Sequence, residues 1–156
     1  MKKIILILLF VIYANANNTY KITYKNMTLG DIKNMNTIKD GYLIALPSSS
    51  WMRYILGFDK FVLFQEHKKP KANGKVRYKK DKYMLLSVIY NLSKNIKSQT
   101  LEKDNRVLKI KCNGKKCTYT RTKNGKQKIY KGHIYFDKNN KLEEICDNDS
   151  GICIKK

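Results

Sequence analysis

Acidic residues are scarce in this chain, and so is arginine. The 156 residues include 12 Asp and Glu against 33 Lys and Arg, a formal net charge of +21. Such a charge favours nucleic acid, anionic lipid or acidic polymers as partners. Only four of the basic residues are arginine, which grips phosphates and base edges better than lysine does. This shortage argues against a sequence-specific reader of DNA and indicates looser affinity for a polyanion.

The sequence also lacks the local motifs of several enzyme classes. It has no G-x-S-x-G nucleophile turn, no Gly-rich phosphate loop and no H-E-x-x-H metal motif. Two histidines, His67 and His133, could serve a small ribonuclease together with lysine, but no motif links them. One imidazole would take the 2′-hydroxyl proton and the other would protonate the leaving group. We favour a non-catalytic protein with no cofactor and no metal, and the ribonuclease is an alternative.

Long apolar runs are few, and the first is too short to cross a membrane. Ile4–Ala14 spans eleven uncharged residues, whereas a transmembrane helix needs about 20. The run follows two lysines and leads into small residues at Ala14 and Ala16, which is the order of parts in a secretory signal. We therefore expect residues 1–16 to be a cleavable signal peptide and the mature protein to be periplasmic or secreted.

The expected mature segment, 17–156, has the length of one domain and contains no further run long enough for a transmembrane segment. Its four cysteines are spaced C-x4-C and C-x6-C, wider than the C-x-x-C pairs of metal sites. An exported chain meets an oxidising environment, in which cysteines pair. The sequence therefore predicts two local disulfides, Cys112–Cys117 and Cys146–Cys153.

Hydrophobic periodicity and turn residues predict an α+β fold. N-terminal strands are favoured over Thr19–Lys25, Tyr42–Leu46 and Phe58–Gln65. Between the last two, a serine run can cap a short helix that ends at Gly57. An aromatic group lies in and after this helix: Trp51, Arg53, Tyr54 and Phe58. Core packing is its predicted role, and a ligand or partner surface is the alternative.

One amphipathic helix is predicted near residues 81–98, with Asp81 as its N-cap. Its apolar residues recur at helical spacing and are expected to face the core. They are Leu85, Val88, Ile89, Leu92 and Ile96.

From Arg106 onward the sequence predicts an antiparallel meander. A two-residue turn at Asn124-Gly125, another at Asn139-Asn140 and the two cysteine-closed hairpins fix the registers. These turns align two rows of side chains: Ile110, Tyr119 and Tyr130, and Ile134, Ile145 and Ile154.

A basic segment between the strands and the helix is the strongest local feature. Residues 67–80 lack apolar periodicity and are predicted to form an exposed loop, with Tyr78 and Tyr83 placed to stack on bases or sugars. Its predicted polyanion-binding residues are Lys68, Lys69, Lys71, Lys75, Arg77, Lys79, Lys80 and Lys82.

Together these features predict an exported basic protein that binds an anionic partner, such as an envelope polymer, a lipid headgroup or nucleic acid. The alternative is a protein-interaction module of the cell envelope. In that case the charge would be incidental, because AT-rich codons encode Lys, Asn and Ile.

Overall fold

The computed structural model describes residues 19–65, 74–78, 85–123 and 128–156. Eleven strands form one mixed sheet in the order β5-β4-β3-β2-β1-β11-β10-β9-β8-β7-β6. Strands β4 and β5 are parallel, and every other neighbouring pair of described strands is antiparallel. The strands are β1 Tyr20–Tyr24, β2 Met27–Ile32, β3 Tyr42–Pro47, β4 Lys60–Gln65, β5 Val76–Tyr78, β6 Gln99–Lys103, β7 Arg106–Asn113, β8 Lys116–Lys123, β9 Tyr130–Phe136, β10 Leu142–Asp147 and β11 Ile152–Lys155.

Helices are a minor part of the described fold. They are a 3-10 helix at Met35–Asp40, α1 at Ser50–Leu56 and α2 at Leu85–Lys94. The predicted α+β class is therefore correct only in outline, because the molecule is mostly β-sheet. Helix α2 ends at Lys94 rather than Ser98, and β6 begins soon afterwards. Asp81, its predicted N-cap, lies outside the described residues.

The caps of α1 agree with the prediction. The Ser49 hydroxyl accepts a hydrogen bond from the Met52 amide at 3.1 Å, and this satisfies a donor that the first turn leaves free. Gly57 ends the helix with φ 70°, in the left-handed region. A residue without Cβ adopts that conformation at little cost, so glycine is common at this position.

Helix α2 packs into the core, as its apolar stripe predicted. Val88, Ile89 and Leu92 are buried in the same cluster as the inward residues of the sheet. Ile134, Ile145, Ile154 and Ile22 pair in turn across β9, β10, β11 and β1. This row confirms two of the predicted registers, and Ile110 opposite Tyr119 confirms a third.

One predicted register is wrong by two residues. Tyr119 pairs with Gly132 instead of Tyr130, which pairs with Arg121. A two-residue turn at Asn124-Gly125 is incompatible with this pairing, and those residues lie outside the described part of the chain. A Cβ added to Gly132 would lie 2.3 Å from the Tyr119 Cζ atom, so this pairing lets the ring lie over bare backbone. The slip is even, so each side chain keeps its predicted face.

Both predicted disulfides are present, and they lie on opposite faces of the sheet. Cys112 pairs directly with Cys117 across β7 and β8, and Cys146 with Cys153 across β10 and β11. Cys117 shares a row with Ile134 and belongs to the core cluster. Cys146 instead pairs with His133 on the other face. The bonds indicate an oxidising environment.

Three strands were not predicted. Residues 27–32 form β2 between β1 and β3. Residues 76–78 form β5 beside β4, although a loop was expected over 67–80, and β6 pairs with β7 at the far edge. Strands β5 and β6 are short edge strands with little apolar alternation, the signal from which strands are recognised. Among the helices that the structure describes, none has the length and apolar character needed to cross a bilayer.

Candidate functional site

The predicted basic loop is described in part. Lys75 and Arg77 are exposed on and next to β5, while the other six predicted binding residues lie outside the described residues. Asp59 attaches this segment to the molecule: its amide donates to the Lys75 carbonyl at 2.8 Å, and its carboxylate accepts from the Lys75 amide at 2.8 Å. The segment is therefore held directly after helix α1.

Helix α1 exposes its aromatic side chains, so the predicted core role of Trp51 and Tyr54 is wrong. Trp51 is 67% exposed and Tyr54 81% exposed, and Ile55 beside them is 55% exposed. The two rings stack with their centroids 6.0 Å apart. The physical reason is that a helix packed on one side against a sheet buries only one stripe. Met52 and Leu56, four residues apart, occupy that stripe.

The exposed aromatic side chains adjoin the basic segment. Arg53 Nε lies 3.3 Å from Asp59 Oδ1, the carboxylate that also holds Lys75. The Arg77 guanidinium lies 6.0 Å from the centre of the buried Phe58 ring. We call Trp51, Tyr54 and Ile55 the aromatic face, and Arg53, Lys75 and Arg77 the basic edge. Arg53 lies in the same helix as the aromatic face, and Asp59 connects it to Lys75.

An apolar cavity of about 580 Å³ lies behind α1. The sheet supplies one wall with Ile22, Ile145 and Ile154, and α2 supplies Leu85 and Leu86. Strand β4 contributes Phe61 and Leu63, and Leu56 and Phe58 connect this lining to α1. The volume lies within the range of about 300–1,000 Å³ typical of small-molecule sites.

The cavity has exposed lining on the side of the β10–β11 turn. Ser150 and Ile152 line it there, and Ile152 is 38% exposed. Tyr24 pairs with Ile152 across β1 and β11. The Lys25 side chain passes over Gly151, where an added Cβ would lie 3.8 Å from Lys25 Cγ. A basic side chain therefore lies over Gly151, the residue between the lining residues Ser150 and Ile152.

One ion pair interrupts the apolar lining. Arg121 and Asp147 form a part-buried salt bridge in the cavity wall, and the Arg121 guanidinium lies 5.2 Å from the Tyr130 ring centre. The neighbouring Tyr119 hydroxyl donates to the Cys146 carbonyl at 3.0 Å. Burial, and then the charge of Asp147, raise the pKa of Tyr119 well above its ordinary value. This wall therefore carries balanced charge and a neutral phenol.

His133, one of the two predicted catalytic candidates, lies on the opposite face. Its Nδ1 is 3.1 Å from Asn148 Oδ1, its Nε2 is 3.5 Å from Glu144 Oε1, and its ring stacks on Tyr135. Burial alone would raise the pKa of Glu144, but the Lys155 ammonium 3.0 Å away and His133 outweigh it and lower that pKa. His67, the other candidate, lies outside the described residues.

Cys146 lies with His133 and Glu144 in a cluster with the spacing of metal ligands. Its sulfur is bonded to Cys153, and metal binding requires a thiolate. The cluster therefore offers two ligands, fewer than the three or four protein ligands of zinc sites.

The sequence pattern did not reveal the cavity or the exposed face of α1. Helix α1 has two apolar stripes at helical spacing. One stripe consists of positions 51, 54 and 55, and the other consists of positions 52 and 56. The choice between them depends on which stripe meets the sheet. The cavity is formed by residues from nine helices and strands and from two connections, which are far apart in sequence. Comparison of this chain with protein-family models, curated proteins and solved structures finds no match.

Proposed function

We propose that this protein is exported and binds the surface of an anionic membrane through the aromatic face and the basic edge. The observation that carries the proposal is the exposure of Trp51, Tyr54 and Ile55 on the helix whose Arg53 pairs with Asp59, the residue that also holds Lys75. Interfacial membrane-binding elements combine these chemistries, because aromatic and aliphatic side chains enter the headgroup boundary while Lys and Arg meet anionic lipids.

The energetics favour a surface of this kind. Each Lys or Arg close to an anionic bilayer contributes about 1 kcal/mol, and a buried aromatic residue contributes through an area of about 150–250 Å². Exposing three large apolar side chains to water is otherwise a liability. The net charge of +21 also steers the chain towards negative surfaces.

Ile55, the aliphatic residue of the aromatic face, favours a membrane rather than a nucleic acid as the partner. Single-stranded nucleic acids bind to aromatic platforms through stacking of the bases. Ile55 has no face on which a base can stack, yet it belongs to the same exposed stripe as Trp51 and is 55% exposed itself. A lipid boundary accepts all three side chains.

Flotation of the purified protein with vesicles tests the proposal. Binding to vesicles containing phosphatidylglycerol should exceed binding to phosphatidylcholine vesicles and should weaken with salt. The double substitution Trp51→Ala/Tyr54→Ala should reduce binding by at least about tenfold. Ile129→Ala is the matched control, since Ile129 is 48% exposed but lies next to β9.

A second pair of variants tests the basic edge. Lys75→Gln/Arg77→Gln should weaken binding by roughly 30-fold at low salt, because two charges near the surface contribute about 2 kcal/mol. Lys109→Gln/Lys111→Gln removes the same charge from exposed positions on β7 and should have a smaller effect. Two results would contradict the proposal. One is an equal loss of vesicle binding from both pairs of substitutions. The other is unchanged vesicle binding in Lys75→Gln/Arg77→Gln, together with tighter binding of the protein to a single-stranded oligonucleotide than to vesicles.

A further inference from the structure

Resting on the proposed function, we infer that the cavity binds the chain of a single-chain anionic lipid, with the charged head at Lys25. The lining is apolar apart from one balanced ion pair, so a ligand in it must be largely hydrocarbon. A charged head group placed inside the cavity would lie near Arg121 and Asp147, and these two residues already neutralise each other. The head must therefore remain at an opening.

The volume and the walls of the cavity suit a single chain. A volume of about 580 Å³ lies in the range of sites for single small molecules. Its walls are the isoleucine row of the sheet on one side and Leu85 and Leu86 of α2 on another. These walls belong to packed elements of one core cluster. A chain between them would be in contact along its length.

The exposed lining and its neighbours suit an anionic head. Ser150 and Ile152 border the cavity where the side chains of Tyr24 and Lys25 lie over Gly151. The Lys25 ammonium is 5.4 Å from the centre of the Tyr24 ring. A carboxylate or phosphate there would meet the ammonium and the Ser150 hydroxyl, while its chain continued past Ile152.

The cavity adjoins the helix that carries the proposed membrane surface. Leu56 lines the cavity, and its neighbours Tyr54 and Ile55 belong to the aromatic face of the same short helix. Docking of α1 at a bilayer would bring the cavity close to the lipid boundary. A single-chain lipid could then enter without crossing bulk water, which is the costly step for a long chain.

Equilibrium binding of radiolabelled palmitate to the purified, delipidated protein tests the inference. We expect saturable binding of one molecule, with affinity falling about fourfold for each methylene removed. Hexadecanol should bind about fivefold more weakly than palmitate, and Lys25→Gln should remove that difference. Lysophosphatidylglycerol serves as a second probe. The ligand that binds more tightly, palmitate or lysophosphatidylglycerol, shows whether the opening prefers a carboxylate or a phosphate head group.

Filling the cavity provides the decisive variant. Ala45 is buried in the lining, so Ala45→Phe should reduce palmitate affinity at least tenfold by occupying the space of several methylenes. Ile154→Phe, on strand β11 of the same lining, is the second variant should Ala45→Phe fail to fold. Val107→Phe adds the same bulk on β7, outside the lining, and should bind palmitate normally.

The outcomes separate this inference from the proposed function. Loss of palmitate binding with unchanged vesicle flotation in Ala45→Phe supports the inference. Absence of saturable palmitate binding, or equal affinity in the wild-type and filled variants, overturns it even where vesicle flotation persists. Loss of vesicle flotation in Trp51→Ala/Tyr54→Ala tests the membrane-binding surface of the protein. It does not affect the test of the cavity, because palmitate binding is measured in solution.

Discussion

At the residue scale, two tyrosines attach strands to each other through backbone carbonyls far away in sequence. Tyr119 donates to Cys146 across the bare backbone of Gly132. Tyr20 donates to the Leu142 carbonyl at 2.5 Å and joins β1 to the start of β10. Both rings are buried. A buried phenol that donates a hydrogen bond must remain protonated, so these contacts link stability to pH.

Tyr20 makes this link measurable. Burial, and then the charge of Asp137, raise its pKa from 10.0 to about 12. Because the folded pKa lies above the unfolded one, the contribution is complete below pH 10 and is lost as pH rises towards 12. We expect the free energy of unfolding to fall by about 2 kcal/mol over this interval.

Urea unfolding of wild type and Tyr20→Phe at several pH values checks this expectation. The variant loses the hydrogen bond at neutral pH, about 1 kcal/mol, but its stability should fall less steeply between pH 10 and 12. Other groups, lysines included, titrate in both proteins, so the difference between the two curves isolates Tyr20. Parallel curves would contradict the assignment.

At the scale of elements, the two disulfides close hairpins of similar size and differ in what surrounds them. Their cysteines are 5 and 7 residues apart. Loops this short correspond to about 2 kcal/mol of entropic stabilisation for each bond. Cys112 and Cys117 pack against the core, whereas the Cys146–Cys153 bond is on the face that carries His133.

Removing each bond separately should show the difference between the two faces. Cys146→Ala/Cys153→Ala should lose about 2 kcal/mol and keep the fold. Cys112→Ala/Cys117→Ala should lose about 1 kcal/mol more, because it also leaves a void beside Ile134. Chemical unfolding with circular dichroism measures both. Equal losses would mean that the core does not depend on the Cys117 sulfur.

The elements that could be predicted from the sequence are those with local signals. The hairpins closed by cysteines, the capped helix α1 and the apolar stripe of α2 carry such signals, and the structure has them. Tyr119 was paired incorrectly because its register depends on a contact with Gly132, not on the turn. The outward orientation of Trp51 depends on where β3 and β4 place the helix, and no local pattern contains that information.

At the scale of the whole molecule, the position of charge matters more than its amount. Lysines are spread over the chain, and codon bias could account for their number. The basic edge differs from the rest because Asp59 attaches it to the end of helix α1, through hydrogen bonds to Lys75 and an ion pair with Arg53. If the charge acts only in bulk, loosening this attachment would leave membrane binding unchanged.

Gly74→Ala distinguishes the two cases. Gly74 has φ +93°, and an added Cβ would lie 2.7 Å from Asp59 Oδ2, so the carboxylate must move away from Lys75. This change keeps the net charge and all three aromatic-face residues. We expect vesicle binding to fall severalfold, since displacing the two cations removes part of their contribution of about 1 kcal/mol each.

Gly57→Ala is the control for this variant, because its φ of +70° imposes similar backbone strain with no atom within 4 Å of the new Cβ. It should cost stability and leave the attachment at Asp59 in place. Vesicle flotation and thermal unfolding measured together separate the two effects. Binding that falls in Gly74→Ala but not in Gly57→Ala assigns the affinity to the arrangement of the basic edge. Identical binding in the two variants would assign it to bulk charge, and the location of the lysines would then have no role in membrane recognition.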